Sequence, residues 1–373
     1  MPGQMSPAVL KALAADILRL SKLLTRDRGE LPAAYLNDAA LRTAYQTYFL
    51  PPNRAKVRLA LTELSLHPQG VLRKDRLRIV DLGSGPGTAI LGTLDFFLQQ
   101  DHRPILEFTA QDQVAENLKE AARLFSALQQ GYPSVSTLAT VHSTIDKVEG
   151  KLNGRYDIIM LSNLLNELYT HDAAKLSRRT ELLAHLLRTF LTTDGSCILV
   201  EPALQETSRD LLLVRDALQE QGFTVYAPCF RQGPCPALLN PKDWCHEDIP
   251  WDAPPLISAL DKLTGLRKDA LKFSYLVLRL DRSSLSEVYG AEAFRMVSEP
   301  LVSKGKVEYY VCGAAGRKLI IRLDKDASPQ NQSYSCLRRG DIIAFEGLRD
   351  EGKRFKVEQE TRVIIRRGGS GNS

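Results

Sequence analysis

Three alternate glycines, Gly83, Gly85 and Gly87, follow an apolar segment that contains Asp81. Glycine allows a backbone to approach a ligand closely and to turn sharply into a helix, so this loop is a candidate binding site. A dinucleotide-binding loop would place its third glycine at position 88, which Thr88 occupies. The residues therefore predict either a site for a different small molecule or a tight glycine-rich turn in another kind of α/β protein.

The glycine spacing after an acidic strand end resembles the first motif of class I methyltransferases that use S-adenosylmethionine. This cofactor has no pyrophosphate, and the resemblance implies that the loop wraps its amino-acid end while Asp81 holds its ammonium group. Asp112 lies 25 residues after Gly87, at the end of the next predicted strand. Its carboxylate is suited to accept hydrogen bonds from both ribose hydroxyls. Ser143, after the third predicted strand, and Asn163, after the fourth, complete the predicted cofactor site.

The loop after the fourth predicted strand reads Ser162-Asn163-Leu164-Leu165. A methyltransferase of exocyclic amino groups would normally carry two prolines and an aromatic residue at this place. The segment also offers no evident general base or nucleophile, so the sequence assigns no catalytic residue. Methyl transfer can depend mainly on positioning, because the sulfonium is already a strong methyl donor. We therefore expect cofactor binding, and the sequence leaves turnover open.

Three cysteines, Cys229, Cys235 and Cys245, fall within 17 residues, and Cys312 follows after a gap of 66. Four thiolates suit either a tetrahedral zinc ion or an iron–sulfur cluster. The gaps are longer than the tight pairs of most zinc sites, and prolines and aromatic residues flank the cysteines. This pattern favours an iron–sulfur cluster, with zinc or buried inert cysteines as the alternatives.

The remaining cysteines are predicted to take no part in this site. Cys197 lies in a predicted strand and is assigned to the core, and Cys336 has no partner in the pattern. His246 adjoins Cys245, and we expect it to support the site or the core rather than to bind the metal.

Around these motifs, apolar segments alternate with helical patterns, which predicts an α/β fold with a mostly parallel, doubly wound sheet. The glycine loop makes this a class I methyltransferase, Rossmann-like sheet. Its predicted strands are 77–82, 106–111, 138–141, 156–161, 196–200, 223–227 and 273–280.

The predicted organisation has three domains. A helical N-terminal domain covers 1–73, and the methyltransferase domain covers 74–282 with a cysteine-rich insertion at 228–272. A β-rich C-terminal domain, OB-like or a small barrel, covers 283–367, and 368–373 is predicted to be a flexible tail.

The composition is that of a folded globular protein. Hydrophobic residues make up 44% of the chain, and 49 basic against 44 acidic residues give a formal net charge of +5. No apolar run reaches the roughly 18 residues that a membrane-spanning helix needs. The N-terminal segment is amphipathic and differs from a secretory signal. We therefore expect a cytoplasmic protein without a membrane partner, or a mitochondrial one in a eukaryote.

Most of the chain resembles the small-ribosomal-subunit methyltransferase-like family, found in bacteria and as mitochondrial small-subunit assembly factors. The most specific matching elements are Cys229 to Pro236 and Asp243-Trp244-Cys245-His246. Further matches are the glycine loop, Leu50-Pro51-Pro52, Leu164 to Leu168, Glu201-Pro202, Phe273-Ser274-Tyr275 and Arg295 to Cys312. Ala203 and Asp112 stand where the family has Gly and Glu.

The family resemblance implies that Cys229, Cys235, Cys245 and Cys312 hold a four-iron, four-sulfur cluster. It also implies binding to the maturing small ribosomal subunit. We therefore predict a small-subunit assembly factor, expected to be a monomer, that binds rRNA and S-adenosylmethionine, with RNA methylation as an activity open to it. The alternatives are a non-catalytic assembly factor that retains the fold and a small-molecule methyltransferase with a zinc site.

RNA binding requires local basic faces, because a net charge of +5 is mild for 373 residues. The candidate residues lie in two runs, one in the N-terminal part and one near the C-terminus: Arg54, Lys56, Arg58, Arg73, Lys74, Arg76, Arg362, Arg366 and Arg367.

Overall fold

The computed structural model describes residues 5–27, 32, 34–67 and 70–367, and the predicted tail at 368–373 lies outside them. Within these residues, no helix combines the length and the apolar character needed to cross a bilayer. The α-helices are α1 (Pro7–Thr25), α2 (Ala39–Ala44), α3 (Leu50–Ser65), α4 (Thr88–Leu98), α5 (Ala115–Gln129), α6 (Lys175–Phe190), α7 (Gln205–Glu220), α8 (Pro255–Thr264) and α9 (Leu285–Tyr289).

The β-strands form two sheets. The strands of the first sheet are β1 (Arg76–Leu82), β2 (Ile105–Asp112), β3 (Ser136–His142), β4 (Tyr156–Ser162), β5 (Leu191–Pro202), β6 (Thr224–Ala227), β7 (Glu247–Pro250) and β8 (Ala270–Arg279). The strands of the second are β9 (Phe294–Met296), β10 (Leu301–Ser303), β11 (Lys306–Gly313), β12 (Gly316–Leu323), β13 (Ile342–Glu346), β14 (Arg349–Asp350), β15 (Arg354–Val357) and β16 (Arg362–Arg367).

The first sheet has the strand order β3-β2-β1-β4-β5-β8-β6, with β7 paired to β8. β1 to β5 pair in parallel, whereas β8 runs antiparallel to β5, β6 and β7. The prediction of a class I methyltransferase sheet is confirmed, and each predicted strand is present. Because the carboxyl ends of β1, β2 and β4 meet at one edge of the sheet, the loops that follow them lie together.

Helices cover both faces of this sheet, as its continuous apolar strands require. On one face, Leu61 of α3 and Leu94 of α4 share a core with Phe108 of β2. On the other face, Leu187 of α6 and Leu211 of α7 form a second core. The loops at the carboxyl edge are therefore held by a sheet that is packed on both sides.

The helical segments on either side of Pro51 and Pro52 are continuous. The segment Tyr45–Phe49 forms a π-helical turn that continues directly into α3. Pro51 and Pro52 lie in the first turn of α3, where a missing backbone N–H leaves no helical hydrogen bond unmade.

The cysteine-rich insertion is more regular than its sequence pattern suggested. It contains β7, which joins the first sheet beside β8, and α8, which packs through Leu260 against the N-terminal helices. The irregular part is confined mainly to 228–246, apart from a short 3-10 turn at Pro236–Leu239. This part carries three of the four predicted metal ligands.

The C-terminal strands form one sheet with the order β14-β15-β12-β11-β9-β13-β16, and β10 pairs with β11. The segment 354–365, predicted as one strand, is divided between β15 and β16. This sheet has its own core, but Leu285, Ala293 and Ile342 belong to the core of the first sheet. The two sheets are therefore joined by shared apolar packing.

Candidate cofactor site and cysteine cavity

The glycine loop leaves β1 at the carboxyl edge of the first sheet. Gly83, Gly85 and Gly87 have φ values of +64°, +52° and +82°, which residues other than glycine rarely adopt. The Gly85 N–H donates to Asp112 Oδ2 at 2.8 Å, and no atom lies within 4 Å of the position that a Cβ on Gly85 would take. The loop therefore presents its backbone to open space.

Asp81 lies at the end of β1 with only 1% of its surface exposed. The backbone N–H groups of Ala89 and Ile90, at the start of α4, act on its carboxyl group, but no described residue makes a hydrogen bond of good geometry to either oxygen. Burial, together with the negative charge of Asp112, raises the pKa of Asp81 to about 8. A buried acceptor without a well-formed hydrogen bond is costly, and a cationic ligand would relieve that cost.

Asp112 already accepts three hydrogen bonds from the protein. Its Oδ1 accepts from the Val114 N–H at 2.8 Å and from Asn117 Nδ2 at 3.2 Å, and its Oδ2 accepts from Gly85. Each carboxylate oxygen can accept more than one hydrogen bond, so these contacts leave capacity for a ligand. The structure thus gives Asp112 a role in fixing the glycine loop, and its contact with ribose stays a prediction.

Ser143 and Asn163 lie after β3 and β4, beside the same edge. The Ser143 hydroxyl is buried and has no partner in the described part of the chain. Asn163 has a φ of +58°, and its N–H donates to the Val200 carbonyl at 2.7 Å. The next residue, Leu164, packs over the loop so closely that a Cβ on Gly83 would lie 2.6 Å from its side chain.

Residues not assigned from the sequence also shape this site. Gln111 accepts from the Gly83 N–H at 3.1 Å, and the Tyr45 hydroxyl contacts Thr88 Oγ1 at 3.2 Å. The buried Glu201 carboxylate accepts from the backbone N–H groups of Leu165 and Asn166 at 3.0 and 3.1 Å. Two features of the sequence could have identified these residues: Gln111 directly precedes Asp112, and Glu201-Pro202 is one of the segments that match the family. No such feature marks Tyr45, which lies in the π-helical turn before α3.

The four predicted metal ligands meet in one place. Cys229 and Cys235 lie in the loop after β6, Cys245 precedes β7, and Cys312 belongs to β11. All four line a cavity of about 50 Å³ whose wall also includes Arg215, Trp244, His246 and Arg317. The fold therefore brings together cysteines from two sheets.

The thiols of Cys235, Cys245 and Cys312 have pKa values above the usual range. Burial and the neighbouring Cys229 raise the pKa of Cys235 to about 11, and burial with the charges of Cys229 and Cys235 raises that of Cys312 to about 12. The pKa of Cys245 is raised further for the same reasons. A positively charged group is needed to keep such thiols deprotonated together. Among the described residues, no group of three or more His, Cys, Asp or Glu side chains is arranged to hold a metal ion.

Several N–H groups in the wall of the cavity are buried without a partner in the described part of the chain. They are Arg215 Nε, Trp244 Nε1 and Arg317 Nε, and His246 Nδ1 and one Glu247 oxygen are the other unpartnered atoms among the described residues of this wall. The three N–H groups can only donate hydrogen bonds. A group rich in acceptor sulfurs and carrying negative charge fits such a wall.

The other two cysteines are not part of the cavity wall, whereas His246 is. Cys197 is fully buried in the core beside β4, and Cys336 is exposed. His246 stacks on Trp244 with ring centroids 5.6 Å apart. Burial, reinforced by the charge of Arg339, lowers the pKa of His246 to about 4.

The predicted basic runs do not form continuous free faces. Five of the nine residues are in ion pairs: Arg54 with Asp95, Lys74 with Asp157, Arg76 with Glu107, Arg362 with Glu346 and Arg367 with Glu63. These acidic partners neutralise positive charge that would otherwise be available to bind RNA phosphates. The other four, Lys56, Arg58, Arg73 and Arg366, form no ion pair within the described residues, and burial, with the charge of Lys268, lowers the pKa of Lys56 to about 7.

The chain was compared with known proteins. A family model described as mitochondrial small ribosomal subunit Rsm22 matches residues 39–341. No curated protein matches the chain. An O-methyltransferase family protein from Burkholderia thailandensis is 17% identical with a TM-score of 0.34, over 68% of this chain and 63% of that one, so this chain spans less than two thirds of that protein.

Two further solved structures are similar in part. The plantazolicin methyltransferase BamL is 12% identical with a TM-score of 0.38, over 74% of this chain and 99% of its own. An rRNA methylase from Streptococcus thermophilus is 10% identical with a TM-score of 0.28, over 55% of this chain and 87% of its own.

Proposed function

This chain belongs to the family described as mitochondrial small ribosomal subunit Rsm22, and we propose that it is an S-adenosylmethionine-binding assembly factor of the small ribosomal subunit. The observation that carries the cofactor assignment is the pair of buried Asp81 oxygens without a hydrogen bond of good geometry. They lie on the same strand end as the open glycine loop. The ammonium group of the cofactor would supply the missing donors.

The remaining cofactor contacts follow from the edge of the sheet. The Gly83 to Gly87 backbone would lie against the amino-acid end, Asp112 would accept from the ribose hydroxyls, and Ser143 would lie beside the adenine. Asn163 would face the sulfonium end. Glu201 fixes the backbone of the loop after β4, and the apolar Leu164 side chain would exclude water there.

Methylation of rRNA is the activity that we propose for this site. The cofactor would supply the methyl group, and the protein would contribute positioning rather than acid–base chemistry. A non-catalytic assembly factor is the second candidate. It is favoured by the packing of Leu164 directly against Gly83, which narrows the place where a methyl acceptor would enter.

Labelled methyl transfer to assembling small subunits, compared with mature ones, separates the two candidates. A catalytic factor should label the rRNA of assembling subunits, and Gly85→Arg should abolish the label. If the wild-type chain sediments with assembling subunits and binds the cofactor but transfers no methyl, the non-catalytic role stands. If it neither binds the cofactor nor sediments with subunits, the proposed function is overturned.

We also propose that Cys229, Cys235, Cys245 and Cys312 hold a [4Fe-4S] cluster, with zinc as the alternative. Support comes from their common cavity and from the unpartnered N–H groups in its wall. The cluster would tie the loop after β6 to β11 of the second sheet. Its binding energy would therefore contribute to the stability of the junction between the sheets.

Anaerobic purification followed by iron, sulfide and zinc analysis tests the cluster. We expect iron and sulfide in equal amounts, lost in Cys245→Ser and retained in Cys336→Ser, whose cysteine is exposed outside the cavity. One zinc per chain without sulfide would replace the cluster by the zinc site. A protein with no metal under these conditions would overturn both.

Contact with rRNA is proposed to use phosphate groups near Arg58, Arg73 and Arg366. Binding through phosphates weakens as salt rises, by an amount set by the number of phosphates neutralised. The protein would act as a monomer in the compartment of its ribosome, which is the cytoplasm in bacteria and the mitochondrion in eukaryotes.

A further inference from the structure

Arg215 is the most constrained charge in the cysteine cavity. Only 1% of it is exposed, although it lies on α7 among apolar residues of the second core. Its Nη1 donates to the Gly233 carbonyl at 2.7 Å, and its Nη2 donates to the Arg231 carbonyl at 2.7 Å. Nη1 also contacts the Asp216 carboxylate. These contacts hold the guanidinium against the loop that carries Cys229 and Cys235.

The positive charge of Arg215 lies at the wall of the cavity that Cys229 and Cys235 also line. The Nε–H of Arg215 remains without a partner in the described chain. The side chain thus combines a fixed positive charge with one free donor at the cavity wall.

Trp244 and Arg317 bring the same kind of group from two other segments. Trp244 is held by stacking on His246, and its indole N–H is buried and unpartnered within the described residues. Arg317, on β12, pairs with Asp243 and lies 4.6 Å above the Tyr310 ring, which leaves its buried Nε–H free. Leaving a buried donor unsatisfied costs about 1–3 kcal/mol, so three such donors around one cavity indicate an acceptor between them.

We propose that Arg215, Trp244 and Arg317 form a donor shell that hydrogen-bonds to the sulfurs of the cluster and raises its reduction potential. This inference rests on the cluster proposed above. One electron supplied by a reductant such as dithionite would make a bound cluster more negative without breaking a bond. Hydrogen bonds and positive charge stabilise the more negative state, and both are known determinants of the potential of iron–sulfur clusters. These residues position charge around the cluster and do not ligate it.

Trp244→Phe is the sharpest test, because it removes one N–H and keeps an aromatic ring for stacking on His246. The chain contains one other tryptophan, Trp251, which packs on the core and is not part of the cavity wall. Trp251→Phe is therefore the matched control. Arg215→Lys keeps the charge but loses the Nε–H, and tests the second donor.

The measurement is a dithionite titration of the anaerobic protein, followed by visible absorbance, after iron and sulfide content have been determined. We expect Trp244→Phe to keep its iron and sulfide and to lower the equilibrium constant for reduction about tenfold, which is 59 mV for one electron. Arg215→Lys should lower it in the same direction, and Trp251→Phe should leave it unchanged.

The outcomes separate this inference from the cluster itself. Potentials equal to that of the wild type in both Trp244→Phe and Arg215→Lys, with iron and sulfide intact, would overturn the donor shell and leave the cluster standing. A wild-type protein without sulfide would overturn the cluster and the shell together.

Discussion

The candidate cofactor site and the cysteine cavity differ in the kind of hydrogen-bond partner that their buried groups lack. At the carboxyl edge of the first sheet, the buried Asp81 carboxylate is short of donors, whereas in the cysteine cavity the donors of Arg215, Trp244 and Arg317 outnumber the single unpartnered oxygen of Glu247. The first arrangement suits a cation, and the second suits an anion rich in sulfur. Unsatisfied buried groups thus indicate the charge of each ligand independently of sequence motifs.

The sites also differ in how they are assembled. The cofactor site is built from loops of one sheet, and its backbone is fixed by local contacts such as Asp112 with Gly85. The cysteine cavity needs segments from both sheets to come together. We therefore expect changes at the junction of the sheets to affect the cavity and to spare the cofactor site.

The largest effect should come from Gly85→Arg. The change places a long side chain in the open space beside the loop and imposes a positive φ on a residue that resists it. Calorimetry with S-adenosylmethionine should show no binding, while iron and sulfide stay at wild-type levels because the cavity is not touched.

Gly150→Arg is the control for backbone strain. Gly150 also has a positive φ, of +74°, and open space around it, but it lies in the loop before β4, at the opposite end of the strands. This variant should bind the cofactor as the wild type does. Unchanged binding in Gly85→Arg would remove the assignment of the glycine loop as the cofactor site.

Much of the cofactor site could be predicted because its signals are local. A strand followed by alternating glycines specifies both the element and the backbone conformation, and Asp112 follows at the end of the next strand. The cysteines were also identified from their spacing and flanking residues. Their meeting depends on the docking of two sheets, which no local pattern encodes.

The residues that the sequence did not assign act through tertiary contacts. Arg215 is one of two arginines on the amphipathic helix α7, and only its burial against the loop after β6 distinguishes it. Arg295 is similar, since its partners Glu63 and Glu247 are distant in the chain. The ion pairs of the basic runs could not be predicted for the same reason, because their acidic partners lie on other strands and helices.

A smaller effect, on stability rather than on the cofactor, is expected from Arg295→Met at the junction of the sheets. Arg295 contacts Glu63 at 3.0 Å and Glu247 at 3.4 Å, and all three residues are buried. Although burial opposes ionisation, Arg295 and Arg367 hold the pKa of Glu63 below its usual value. Removing one partner of a buried ion pair costs about 3–5 kcal/mol, which urea unfolding would measure.

The matched control for this loss is Arg349→Met. Arg349 pairs with Glu358 at 3.1 Å, but 59% of its side chain is exposed. Exposed pairs contribute about 0–1 kcal/mol, so the control should unfold near the wild-type urea midpoint. Equal midpoints for Arg295→Met and Arg349→Met would contradict a junction held by buried charge.

The smallest effect, and the one that tests the charge of the first site most directly, is the pH dependence of cofactor binding. The pKa of Asp81 is raised to about 8, so below that pH its carboxyl is protonated in the free protein. A cationic ammonium favours the carboxylate, and binding must therefore release this proton when the pH is below about 8. Affinity should rise by up to about tenfold per pH unit from pH 6 to pH 8 and level off above it, since one pKa unit is worth about 1.4 kcal/mol.

Asp81→Asn removes the titrating group and keeps the size of the side chain. Its affinity for S-adenosylhomocysteine, which carries the same ammonium group, should be nearly independent of pH and weaker than that of the wild type at pH 8. Calorimetry in two buffers of different ionisation enthalpy would count the protons released: close to one for the wild type at pH 6.5 and none for Asp81→Asn. A wild-type affinity that is flat from pH 6 to pH 8, with no proton released, would show that Asp81 does not meet the ammonium group, and the contrast between the two sites would then rest on the cysteine cavity alone.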